Sequence, residues 1–106
     1  MPKFLVQASY TVEGTKGLLK SGGSSRRKAV EELLASVGGT MEAFYFTFGE
    51  DDAIVIMDVP SNETALSIAM TVRASGMVTS KMIPLVPIEE VDRATKRDVH
   101  FRPPGA

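Results

Sequence analysis

TMEAFYFTFGEDDAIVIMDVP, residues Thr40 to Pro60, decides the fold. Two runs rich in aromatic and β-branched side chains, Thr40–Phe48 and Ala53–Val59, flank the acidic turn Gly49-Glu50-Asp51-Asp52. Runs of that composition separated by a Gly/Asp cluster read as the two strands of a hairpin. On both sides of it the apolar period changes from two to that of a helix. Upstream, Ala29, Val30, Leu33, Leu34 and Val37 recur at helical spacing after Ser24 or Ser25, either a good N-cap, and Gly38-Gly39 supplies the left-handed stop. Downstream, Pro60-Ser61 opens a second helix with Ser61 as N-cap. Ala65, Leu66, Ile68, Ala69 and Val72 form its broad apolar stripe, and Ser75-Gly76 ends it.

Further out, Lys3 to Thr11 (KFLVQASYT) reads as a first strand and Met77 to Val86 as a fourth, with Pro84 marking an edge or a departure from the ladder. Gly14, Gly17, Gly22 and Gly23 punctuate the first connection, which has room for one helical turn at Thr15 to Leu19. Pro87 fits the first position of a third helix reaching Arg97: its acids Glu89 and Glu90 come early and its bases Arg93, Lys96 and Arg97 late, as the helix dipole favours. Asp98 to Ala106 reads as an irregular tail. The order predicts one α+β domain over residues 1–106, a ferredoxin-like βαββαβ unit with a four-stranded antiparallel sheet, helices on one face, and a C-terminal helix. Phe44, Tyr45, Phe46 and Phe48 put aromatics on both alternations of a strand, so the second sheet face is expected to be covered by another subunit, enclosing a cavity between two sheets.

Composition narrows the function classes. The 106 residues, 43% hydrophobic and 24% charged, suffice for one core, and no cysteine is present for a disulfide, a thiolate nucleophile or a Cys-type zinc site. Neither a leader-like nor a bilayer-spanning apolar stretch occurs, so a soluble cytoplasmic protein with no membrane partner is expected. A net charge of -1 argues against a nucleic-acid partner, which needs a basic surface. The charges are unevenly placed: Met1 to Lys28 carries six bases against Glu13 alone, whereas Ala29 to Val72 carries eight acids and no Lys or Arg. Two solvated faces of opposite sign account for that.

Candidate chemistry is sparse. Lys20 to Arg27 (KSGGSSRR) gathers flexible amides, hydroxyls and guanidinium groups at a helix start, which suits an anion but lacks the spacing of a P-loop and reads equally as a capped loop. Glu50-Asp51-Asp52 reads as a solvated turn, with Asp52 the member best suited to accept from backbone amides. His100, the lone histidine, cannot build a metal site or a triad by itself and sits in a polar tail. Alternation puts Gln7 and Ser9 on one face of their strand and Tyr10 on the other, and Asp58 or Glu42 could pair with Lys81. Met41, Met57, Met70, Met77 and Met82 read as adaptable core filler. No cofactor or metal motif is present.

KFLVQASYT, EGTKGLL, GGSSRRKAVE, EAFYFTFGEDDAIVIMDVP, Ser75-Gly76 and the closing FRPPGA together resemble the GYD-domain family of small, mostly bacterial proteins, over nearly the whole chain. That family is similar to the dimeric α+β barrel group, so the resemblance implies a barrel of two sheets and brings no reaction with it. Gly49 and Asp52 match the family's turn, while Asp51 stands where an aromatic is usual. Two expectations follow. One is a homo-oligomeric binding module whose cavity holds a small organic or anionic ligand, with Lys16, Arg27, Tyr45 and Lys81 as polar contacts. The other is a cofactor-independent enzyme of monooxygenase or isomerase type, as some α+β barrel relatives are, using Tyr45 or His100 as acid or base.

Overall fold

The computed structural model describes residues 1–106. Strands β1 (Lys3–Tyr10), β2 (Thr40–Phe46), β3 (Ala53–Asp58) and β4 (Val78–Leu85) form one antiparallel sheet in the order β2-β3-β1-β4. The central hairpin is the expected one, but β2 ends at Phe46. Phe48 lies beyond it, fully exposed in the turn. Glu42 is an extra residue opposite the Met57-Ile56 step of β3. That bulge shifts the alternation by one, which lets both Met41 and Phe44 face the core.

Helices α2 (Gly23–Ser36) and α3 (Asn62–Ala74) cover one sheet face, α2 toward β2 and α3 toward β4. This is the ferredoxin-like arrangement read from the sequence. Alternate residues Phe4 of β1 and Val55 and Met57 of β3 meet Leu34, Val59, Ala65 and Ile68 in the buried core. Each of these side chains except Ala65 contributes about 1.5–3 kcal/mol when fully buried. Leu66, expected on the apolar stripe of α3, instead points outward at 59% exposure, as does Met70. Their angular positions lie past the edge of the stripe set by Ala65, Ile68 and Val72. Met77 is also largely exposed, so core filling falls to Met57, Met41 and Met82.

The first connection departs from expectation. It holds a full helix, α1 (Val12–Ser21), capped by the Thr11 side chain, which accepts from the Gly14 amide. Gly14 is in that helix for packing: a Cβ there would sit 2.1 Å from the Met77 carbonyl oxygen. One residue, Gly22 at φ +84°, turns the chain from α1 into α2. Its amide closes α1 on the Leu18 carbonyl, so α2 starts one residue later and neither Ser24 nor Ser25 caps it. After β4, helix α4 (Ile88–Ala94) follows Pro87, and turn hydrogen bonds continue to Arg97. Every residue from Val86 onward is exposed. The radius of gyration is 17.1 Å, against roughly 13 Å for a compact chain of this length, because this arm projects from the fold. No helix is long and apolar enough to cross a membrane.

Candidate functional site

The uncovered face of the sheet is ordered in rows. Residues directly opposite on antiparallel strands share a face, and the register places Tyr45 opposite Ile54, Ile54 opposite Gln7, and Gln7 opposite Lys81. The adjacent row is apolar: Ala43, Ile56, Leu5 and Ile83. With about 4.8 Å between strands, Tyr45 and Lys81 stand roughly 14 Å apart, at opposite edges of a shallow platform. Tyr45 is 70% exposed and Ile83 42%, whereas Leu5, Ile54 and Ile56 are half-buried by their neighbours alone. The platform thus couples an aliphatic strip to a strip bearing a phenol, an amide and an ammonium.

Charged groups close one end of this face. The Lys3 ammonium donates to Asp58 Oδ2 at 3.0 Å and to Glu42 Oε1, so the pairing anticipated for Lys81 belongs to Lys3, and Lys81 stays free on the polar row. Register decides this: Lys3 is directly opposite Asp58, while Lys81 is level with Gln7, four residues along β1. The Glu42 hydrogen bond, then the one to Asp58, raise the Lys3 pKa above the ordinary 10.5. The acidic turn holds the other end. Asp52 Oδ2 accepts from the Tyr10 amide at 2.8 Å, and Asp51 accepts from the Ser9 hydroxyl at 3.2 Å. Asp51, where an aromatic is usual, here ties the turn to β1. Gly49 is exposed in the turn with open space around it.

A second concavity, of about 290 Å³, lies on the helical side between α1, the start of α2 and the start of β4. Tyr10 and Arg26 define it. The Arg26 guanidinium stacks 5.7 Å above the Tyr10 ring, and its Nε is buried without a hydrogen-bond partner. Lys16 and Arg27, expected to share a cavity with Tyr45 and Lys81, are on these helices instead, exposed and paired with Glu13 and Glu31 at 3.5 Å. Helical spacing could have found the inward guanidinium: Arg26 leads Val30 and Leu33 on one face, and Arg27 is turned about 100° away. His100 lies in the arm, 92% exposed, 3.6 Å from Asp98. Nowhere do three His, Cys, Asp or Glu side chains gather as a metal site would need.

The model of one protein family, the GYD domain, matches residues 4–95. That span covers α1 to α4 and the whole sheet except Lys3. No curated protein and no solved structure matches the chain.

Proposed function

We propose, from the premise that the chain belongs to the GYD-domain family, that it is a homo-oligomeric binding module which closes its open sheet face against a second copy and holds a small organic anion there. The row Tyr45, Ile54, Gln7, Lys81 beside the strip Ala43, Ile56, Leu5, Ile83 carries this reading. Half-buried aliphatics favour removal from water, at about 25 cal/mol per Å² of apolar surface. An ammonium enclosed with them needs a counter-charge, and Lys81 has no carboxylate partner within the chain. A ligand with one apolar body and one carboxylate or phosphate satisfies both demands.

Native mass spectrometry tests the reading. The expected result is an even oligomer carrying a defined extra mass, lost in Lys81→Met while the oligomer persists. A monomer, or an adduct indifferent to Lys81, overturns it. The enzymatic alternative has one observation in its favour: the Tyr45 hydroxyl makes no hydrogen bond within the chain and shares the row with Lys81. In that case Tyr45→Phe would abolish turnover of the bound molecule and leave its binding intact.

A further inference from the structure

The arm after β4 is the least explained part of the molecule. Val86, Ile88, Val91, Val99 and Phe101 are each at least half exposed, and α4 buries none of its residues against its own chain. Such a run of apolar side chains on a projecting segment is unusual unless something covers it. A matching surface exists on α3, where Leu66 and Met70, one turn apart, are both 59% exposed beside a groove of about 310 Å³ lined by Ala69, Met82 and Pro84.

The direction of packing follows from charge. Helix α3 carries Glu63 in its first turn and Arg73 in its last; α4 carries Glu89 and Glu90 in its first turn and Arg93 in its last, with Lys96 and Arg97 in the turns that follow it. Antiparallel packing sets acids against bases at both ends and opposes the two helix dipoles. Parallel packing sets Glu89 and Glu90 against Glu63. Connectivity then decides whose helix it is. Leu85, the end of β4, is opposite Lys3, and Lys3 is opposite Asp58, after which the chain enters α3. Both α3 and α4 therefore start from the same end of the sheet. To lie antiparallel on its own α3 with Ile88 level with Met70, α4 would have to begin eight residues, about 12 Å, along that helix and about 9 Å to one side of its axis, roughly 15 Å from where α3 starts. The connection Val86-Pro87 allows about 11 Å from Leu85 to Ile88. Only the α4 of another copy can meet α3 in the favourable direction.

We propose that residues 86–101 are an exchanged arm: α4 of one copy lies antiparallel on α3 of a second copy, Ile88 and Val91 against Met70 and Leu66, with Glu89 and Glu90 toward Arg73 and the later bases toward Glu63. This inference concerns assembly and is independent of any ligand.

The absence of cysteine makes the test clean. Leu66→Cys and Val91→Cys chains, each with a different mass tag, are co-expressed and oxidised. The expected product is a disulfide between the two kinds of chain, formed in preference to either homodimeric disulfide. A doubly substituted chain that closes within one monomer, or mixed chains that do not cross-link, overturns the proposal. Arg73→Glu is expected to raise the dissociation constant several-fold in sedimentation equilibrium, and adding Glu89→Arg with Glu90→Arg to restore it. Failure of that rescue counts equally against the register.

Discussion

Lys3 shows how one side chain can couple chain termini, a bulge and pH. It sits opposite Asp58 and reaches Glu42, the bulged residue, so it ties the start of β1 to both strands of the hairpin. Because its pKa is raised in the folded state, chiefly by the Glu42 hydrogen bond, the pairing stabilises the fold fully below 10.5 and is lost as pH climbs through the raised value. Lys3→Met is therefore expected to lower the melting temperature near neutral pH, with the difference from wild type shrinking above pH 10.5. A gap that stays constant into that alkaline range would show that the pair is energetically silent. Glycines in α1 give a second residue-scale test, because their surroundings are opposite. A Cβ on Gly14 meets the Met77 carbonyl oxygen at 2.1 Å, whereas one on Gly17 meets nothing within 4 Å. Gly14→Ala is expected to cost about 1–3 kcal/mol through displacement of α1, and Gly17→Ala to add about 0.5–1 kcal/mol through helix propensity. Urea denaturation of both variants reads the sign directly.

At the scale of elements, what was legible and what was not separate along physical lines. The hairpin, α3 and β4 were readable because each carries a strong period and its own punctuation, such as the Ser61 cap that accepts from the Thr64 amide. Helix α1 was hidden because Gly14 and Gly17 argue locally against a helix, at about 1 kcal/mol each, and the reason for Gly14 is a close approach to the Met77 carbonyl, more than sixty residues away. The Glu42 bulge was equally invisible: nothing local says which residue of TMEAF is extra, and only the joint burial of Met41 and Phe44 against the helices selects it. Of the residues expected to share a cavity, Tyr45 and Lys81 fall on one row of the sheet while Lys16 and Arg27 lie on the helices, because charge alone does not say which helix face a residue occupies. The acidic turn makes its own prediction at this scale. Asp52 accepts the Tyr10 amide at the point where β1 leaves the sheet for α1, and its own amide donates to the Ala8 carbonyl. Asp52→Ala leaves a half-buried amide without its acceptor and is expected to cost about 1–3 kcal/mol. Faster hydrogen exchange confined to Tyr10 and the 47–52 turn would locate the loss, and uniform exchange across the fold would count against a local lock.

For the whole molecule, the deciding quantity is how much of the sheet face meets water. As a single chain, this fold leaves an aliphatic strip, a phenol and an ammonium open on one side and a 21-residue arm projecting from one end. A substitution at the centre of the strip distinguishes a covered face from an open one. Ile56 points away from the helix-side core, between Ala43 on β2 and Leu5 on β1, and is already half-buried by them. On an open face, Ile56→Asp loses partial burial and strand propensity only, at a cost of about 1 kcal/mol. On a face closed by a second copy, two-fold symmetry brings both new carboxylates into one dry space, where each costs several kcal/mol without a partner. The expected outcome is dissociation to folded monomers, with the dimer constant weakened at least about a hundredfold, equivalent to roughly 2.7 kcal/mol. Sedimentation velocity measures the first quantity and thermal unfolding of the dissociated chain the second. Folded monomers from Ile56→Asp, beside intact dimers from Lys81→Met, would assign the apolar row to assembly and the polar row to the ligand. Dimers that survive Ile56→Asp would leave the sheet face open to solvent and assembly to the arms alone.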